Sequence, residues 1–390
     1  MAAIFRRSEL ARQMTQQLLH PGVLDEALRS GLFLSGLRRT GKTTFLVHDL
    51  IPALEAGGAI VIYVDLWSDT QASPSSLLHA AIRKALSDLQ TPTSTLLAKL
   101  QLVKKAKVEA MGIAFGFEVD NLGKVGGPTL AQALTEVVDK AATDVVLIVD
   151  EVQHAMSSEE GNQMLVALKS ARDAINPRLN TAGHFIFVGT GSHRAMVNEL
   201  ITRRGQAFAG ASSVNYPVLD ASFVQYLLDR LGAEGAGPWP SLEVAVEAFR
   251  ALGHRPEELV RALRQLRLLP PGTNPDPNVT LPIIAATMRG TAAEIDMARL
   301  WEMGALAVSI FDRVAAAEGD ARGLFSAEAV GSYTAALGRE VKTEEVQPVV
   351  NSLVASNLIM RRAHGAYVVT DPFVQEIWRE QRRLELGPGQ

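Results

Sequence analysis

Leu32-Phe33-Leu34-Ser35-Gly36-Leu37-Arg38-Arg39-Thr40-Gly41-Lys42-Thr43-Thr44 is the stretch on which the reading of this chain turns. Its opening apolar run reads as a buried strand. The run stops at Gly36, and apolar residues resume with helical spacing from Thr44 to Leu50. A strand, then Gly-x-x-x-x-Gly-Lys-Thr, then a helix is the pattern of a phosphate-binding loop in the context that loop requires. The residue types follow from the chemistry. Gly36 and Gly41 let the backbone turn and approach phosphate oxygens that a Cβ would hold away. Backbone N–H groups from Gly36 through Thr44, at the start of a helix, then face the anion. Lys42 is expected to set its charge against the β- and γ-phosphates, and the Thr43 hydroxyl to ligate Mg²⁺.

Working outward, the apolar run Val145–Val149 ends in Asp150-Glu151. A buried strand that delivers two acids at its carboxyl end fits the metal-holding position of a P-loop NTPase. Asp150 is expected to bind the metal, mostly through water, and Glu151 to orient and deprotonate the attacking water. The competing reading is an acidic helix start with Asp150 as its cap. A further strand, His184–Val188, runs into Gly189-Thr190-Gly191-Ser192. Thr190, and after it Ser192, is the candidate polar group for the γ-phosphate or the attacking water. Ordinary turn chemistry is the alternative. Arg255, in the helix break Gly253-His254-Arg255-Pro256, is a candidate phosphate contact from a helical lid. Arg203 and Arg204, near a helix end, are candidates for action on a neighbouring subunit's nucleotide.

Strands at 32–35, 59–65, 145–149 and 184–188 alternate with helical segments, which argues for an α/β fold with a parallel sheet buried between helices. Residues 91–128 read as an insertion, with Gly112–Asp120 alternating like an exposed strand or hairpin arm. Beyond Pro217 the pattern turns helical. The expected division is a P-loop ATPase domain over 1–218, a helical lid over 219–280, and a winged-helix domain with a final helix over 281–390. Helices near 326–337 and 343–357 and a hairpin at 358–369 carry that last expectation.

Composition sets the outer limits. The chain has 390 residues, 47% hydrophobic and 21% charged, with a formal net charge of −4 and no cysteine. That is a globular mix with a sizeable core, without a global basic field and without thiolate metal sites or disulfides. Met1–Leu10 lacks the apolar centre of a signal peptide, and no apolar run approaches the ~18 residues of a spanning helix. The expectation is a soluble cytoplasmic protein with no membrane partner.

The chain resembles the AAA+ superfamily and its STAND relatives, especially archaeal-type ATPases with a C-terminal winged helix. The residues that carry the resemblance are Gly36–Thr44, Val149-Asp150-Glu151-Val152-Gln153, Gly189–Ser192, Gly253–Pro256 and Tyr367–Pro372. Phe5–Leu10 is similar to the segment that packs near the adenine in such proteins. The resemblance implies binding and hydrolysis of ATP with Mg²⁺, coupled to a conformational switch or an ATP-dependent homo-oligomer. Gly210 is followed by Ala211, where such relatives often carry an arginine. No Asn-Lys-x-Asp motif for reading guanine is present.

Two outputs stay open at this level. One is a switch that acts on a protein partner. The other is a DNA-associated AAA+ ATPase, of initiator or mobile-element type, docking its winged helix on duplex DNA. The expected recognition helix, from Thr343, starts with Glu344 and Glu345 and has no Lys or Arg, which suits phosphate poorly. Basic residues sit instead at Arg361, Arg362 and His364, and at Lys104, Lys105 and Lys107.

Overall fold

The computed structural model describes residues 4–69, 71–104, 112–192, 194–203, 205–235, 237–269, 276–363 and 365–386. The chain divides into two units, Met1–Val218 and Leu219–Gln390.

In the first unit, α1 (Ser8–Leu19) and a 3₁₀ turn (Glu26–Ser30) lead into β1 (Leu32–Ser35). The P-loop follows, then α2 (Lys42–Phe45), a π-turn (Leu46–Leu50) and α3 (Ile51–Ala56). Next come β2 (Ile60–Asp65), α4 (Pro74–Gln90), α5 (Thr95–Lys104) and α6 (Leu130–Ala141). The unit closes with β3 (Val145–Asp150), α7 (Glu159–Ile175), β4 (Phe185–Gly191), α8 (Arg194–Thr202) and β5 (Ser212–Asn215). The five strands form one sheet in the order β2-β3-β4-β1-β5, and every pairing is parallel. Thus β4 lies between the P-loop strand and the strand that ends in Asp150.

The near-continuous apolar strands have a physical reason. In β3, Val145, Leu147 and Val149 face a core shared with α4, α6 and α7, while Val146 and Ile148 face a second core shared with α1 to α3. Phe33 against Leu32 and Leu34 in β1, and Phe185 and Phe187 against Ile186 and Val188 in β4, split the same way. Period-2 side chains with both faces covered leave no polar positions. The α/β P-loop fold expected from the sequence is present.

The π-turn also has a local cause. Pro52 sits in the first turn of α3 and has no N–H, so the carbonyl four residues earlier, His48, loses its helical partner. Arg6 Nη2 donates to that carbonyl at 2.5 Å, and Arg6 Nε pairs with the buried Asp49 at 2.7 Å.

The expected exposed strand at Gly112–Asp120 is not there. Alternate residues do turn inward, with Ile113 and Val119 buried and Phe115 stacked on Phe117 at 5.7 Å. The backbone bonds go elsewhere: Gly116 N–H donates to the Glu136 carboxylate, and the Ala114 carbonyl accepts from Lys140. Side chains of α6 thus satisfy this segment where a partner strand would have done so.

The second unit opens with α9 (Ala221–Ala233), α10 (Leu242–Ala251), α11 (Pro256–Arg267) and α12 (Pro277–Glu302). It continues with α13 (Ala305–Ala316), β6 (Ala321–Arg322), α14 (Ala327–Leu337) and α15 (Thr343–Ala355). β7 (Ile359–Ala363), β8 (Ala366–Val369) and α16 (Pro372–Leu386) complete it. α12 and α13 are separated at Gly304, whose φ of 92° a β-carbon disfavours. The hairpin gains a third strand, giving an antiparallel sheet in the order β6-β8-β7. Phe311, Tyr333, Leu353 and Trp378 anchor the core beneath it, and Trp378 Nε1–H donates to Asp312 Oδ1 at 2.8 Å.

Candidate nucleotide site

The loop after β1 has the shape its glycines imply. Gly41 takes φ 88° and Arg39 φ 62°. A β-carbon on Gly36 would lie 3.2 Å from Tyr216 Cβ, tighter than ordinary contact, and 3.5 Å from Lys42 Cδ, so a side chain there would crowd Tyr216. The Thr40 hydroxyl donates to the Leu37 carbonyl at 2.8 Å and pins the loop's middle. Leu37, Arg38 and Arg39 face solvent, as do Thr43 and Thr44 in the first turn of α2. Lys42 is buried, and its ammonium donates to the carbonyls of Gly36 and Leu37 at 2.7 Å each. Burial lowers the Lys42 pKa below the usual amine value, although the charges of Glu151 and Asp150 oppose that shift.

Asp150 is the hub of the site and is 1% exposed. Its Oδ2 accepts from the Thr43 hydroxyl at 2.8 Å and from the Tyr63 hydroxyl at 3.2 Å. Its Oδ1 accepts from the Thr190 hydroxyl and from the Glu151 N–H, the latter at 3.1 Å. Four donors satisfy a buried carboxylate that would otherwise be expensive to hold ionised. The register that pairs Asp65 with Asp150 brings Tyr63 to this position from β2.

Glu151 adopts φ 54°, a left-handed conformation uncommon outside glycine and typical of functional turns. Its Oε2 accepts from the Ser192 hydroxyl at 2.8 Å, from the Ser192 N–H at 3.3 Å and from the Gln153 amide. Burial pushes this carboxyl up. The hydrogen bonds from Gln153 and Ser192 and the charge of Lys42 outweigh it and hold Glu151 below the ordinary range. Gly191 leaves room for Gln153: a β-carbon there would come within 2.7 Å of Gln153 Oε1.

At the rim, Arg38 lies over the Trp67 ring at 4.2 Å, and its Nε donates to Ser192 Oγ at 3.2 Å. Trp67 is itself held by a hydrogen bond from its N–H to Asp65 Oδ1 at 2.8 Å and by an edge contact with His154 at 4.7 Å. On another side of the loop, the Tyr216 hydroxyl reaches the Gly41 carbonyl at 3.4 Å, and Arg7 covers the Tyr216 ring at 5.0 Å.

The first unit therefore brings together Lys42, Thr43, Asp150, Glu151, Thr190 and Ser192 from two strand ends and one helix start. Arg255 lies in the second unit, at the start of α11, where its buried Nε has no hydrogen-bond partner. Arg203 pairs with Glu199 at 2.7 Å along α8. Arg204, Lys105, Lys107 and His364 lie outside the described residues, while Lys104 ends α5 and Arg361 and Arg362 lie in β7. Tyr63, Trp67 and Gln153 escaped the sequence reading. Tyr63 and Trp67 carried one usable signal, since they flank Asp65 at the end of a strand next to the acidic one.

Residues 25–197 match the family model of an AAA domain, and this stretch is an AAA domain of the P-loop ATPase class. Among solved structures, the Walker-type ATPase of Pyrococcus abyssi is 18% identical, with 96% of each chain covered and a TM-score of 0.58. The Aeropyrum pernix ORC2 protein in its ADP form is 11% identical, with 98% of this chain and 96% of that chain covered and a TM-score of 0.53. At these identities the likeness is one of fold. No curated protein matches the chain. Among the described residues, no helix is long and apolar enough to cross a membrane.

Proposed function

We propose that the protein hydrolyses ATP with Mg²⁺ and turns the cycle into a conformational or assembly switch that acts on a protein partner. The observation that carries the reading is the Thr43–Asp150 hydrogen bond at 2.8 Å, which joins the P-loop helix to the acidic strand end. Both groups offer hard oxygen donors of the kind Mg²⁺ takes, and the ion would draw its remaining ligands from water and phosphate. Bound there, Mg²⁺ would neutralise charge on the β- and γ-phosphates. Lys42 exchanges its two loop carbonyls for phosphate oxygens. Glu151, kept ionised, accepts the proton of the attacking water, and Thr190 fixes Asp150 from beneath. Arg255 is the candidate lid contact. ATP is favoured over GTP because the sequence has no guanine-reading motif.

The partner class rests on α15. Val346, Val350 and Leu353 are buried, and Glu344, Gln347, Asn351 and Ser352 face outward. Glu345 is engaged with Arg339 at 3.0 Å and with the Lys342 N–H at 3.0 Å. If α13 to α15 and the three-stranded sheet act as a winged helix, its reading face is polar and acidic, which suits protein and repels phosphate. A second reading, duplex DNA held without sequence preference, is favoured by Arg361 and Arg362 on β7.

The test is ATP turnover by the purified protein with Lys42→Ala as control, and sizing with and without ATP and duplex DNA. Turnover abolished in the control and an ATP-dependent shift in size support the switch. A salt-dependent shift with duplex alone moves the output to DNA. A parent protein that neither binds nor hydrolyses ATP overturns the reading.

A further inference from the structure

The P-loop carries two consecutive arginines, and the first is built into the site. Arg38 follows Gly36 by two positions, on the loop that Lys42 closes. Among the described residues its hydrogen bond is to a neutral hydroxyl, Ser192, through Nε at 3.2 Å, so the two terminal nitrogens keep their donors. The guanidinium carbon lies over the Trp67 ring, 4.2 Å from its centre, and Trp67 is in turn held by its backbone N–H on Asp65 and by an edge contact with His154. A guanidinium held over an aromatic ring is restricted in position while its terminal N–H groups stay available, the state in which a fork of donors meets an anion at least entropic loss. Ser192 passes the connection on to Glu151 at 2.8 Å. One row of contacts, Trp67–Arg38–Ser192–Glu151, therefore spans the rim of the site and ends on the candidate base. The charges of Arg38 and Lys42 act on each other, and both act on Glu151.

We propose that Arg38 is the in-chain cation that stabilises the transferring γ-phosphoryl group, held for that task by Trp67 and tied through Ser192 to Glu151. The proposal rests on the ATPase reading above. In the step concerned, a water oxygen bonds to the γ-phosphorus as the bond from that phosphorus to the bridging oxygen of ADP breaks. The water proton passes to Glu151, and ADP and inorganic phosphate leave. Charge moves onto the peripheral and leaving oxygens during this exchange, where an arginine fork acts most strongly. With the charge supplied from the same chain, turnover needs no arginine from a neighbour.

The experiment measures kcat with Mg-ATP and the affinity for Mg-ADP in the parent, Arg38→Ala, Arg38→Lys, Trp67→Ala and Trp67→Phe, at several protein concentrations. An arginine on the transferring group is worth ~10³–10⁵ in rate in other P-loop enzymes. The expected result is a kcat loss of at least ~10² in Arg38→Ala with ADP affinity within about threefold of the parent. Arg38→Lys should recover little, because an ammonium is a point charge and not a fork. Trp67→Ala should also lower kcat, and Trp67→Phe should restore part of it. Mixing Arg38→Ala with excess Glu151→Gln should not rescue turnover.

Equal kcat in parent and Arg38→Ala overturns this proposal and leaves the ATPase reading standing. Rescue on mixing overturns it in favour of a cation acting between subunits. Parallel loss of ADP binding overturns it in favour of a structural role in the loop. A parent protein without turnover overturns both readings together.

Discussion

The Thr43 hydroxyl donates to Asp150 Oδ2 at 2.8 Å, closing a contact between segments 107 residues apart. It is possible because β4 inserts between β1 and β3, so the strand ends carrying the P-loop and the acid pair open onto one crevice at the carboxyl edge of the sheet. Tyr63 approaches Asp150 from the flanking strand and Thr190 from the inserted one. Sheet register thus brings together the residues of the metal-binding half of the proposed chemistry.

Lys42→Ala removes the buried ammonium that now spans two loop carbonyls. Each charge-assisted hydrogen bond is worth about 1.5–3 kcal/mol, so Mg-ATP affinity should fall by ~10²-fold or more. Calorimetric titration checks this, with circular dichroism to confirm an intact fold. Unchanged affinity would remove Lys42 from the site.

Glu151→Gln should bind Mg-ATP as the parent does and lose ~10²–10⁴ in kcat, the range for loss of a general base. The amide still accepts hydrogen bonds from Ser192 through its oxygen, so the turn should survive. Steady-state turnover beside nucleotide titration separates the two effects, and parent-like turnover would reduce Glu151 to a turn residue.

Thr190→Val keeps the volume and deletes the hydroxyl that serves Asp150 Oδ1 inside a fully buried strand end. Oδ1 keeps the Glu151 N–H but loses one hydrogen bond to a charged acceptor, worth about 1.5–3 kcal/mol, so chemical denaturation should show a loss of that order. The Mg²⁺ concentration for half-maximal turnover should also rise, because Asp150 loses an anchor. A variant matching the parent in both measurements would place Thr190 outside the site.

The depressed Glu151 pKa fixes the sign of a pH effect. Its folded value lies below the ordinary 4.5, so its contribution to stability is full above that value and lost as pH falls through the folded one. As a base it stays ionised across the neutral range, and turnover should show no acid limb from Glu151 above pH ~5. Ser192→Ala removes a hydrogen bond that lowers this pKa, so its acid limb should move to higher pH than the parent's. A pH–rate profile from ~3 to 8, taken over the range in which the fold persists, reads this, and identical limbs would dissociate Ser192 from Glu151.

What the sequence discloses is what is local. Gly36, Gly41, Lys42 and Thr43 form a pattern eight residues long, and Val145–Asp150 advertises itself because both faces of its strand are covered. The short edge strand β5, Ser-Ser-Val-Asn, is largely exposed and carries no such periodicity. β6 is two residues long and exists through its pairing with β8. Phe115 and Phe117 alternate as a strand would, yet α6 supplies their segment's bonds, and only tertiary structure reveals that. The same holds within the site. Tyr63 and Trp67 enter the site through Asp150 and Arg38, distant in sequence, and Gln153 joins nearby Glu151 to distant Ser192, whereas Asp150 and Glu151 could be placed from the strand beneath them.

The N-terminal arm also has a meaning for how the protein is handled. Because Pro52 has no N–H for the His48 carbonyl and Arg6 fills that place, Arg6 behaves as a plug in the side of the helical run whose first residues are Lys42 and Thr43. A fusion partner or protease that pulls the plug would leave the Asp49 carboxylate buried without its counter-charge, one turn from the phosphate cradle. Preparations that differ only in those first residues should then differ in nucleotide occupancy.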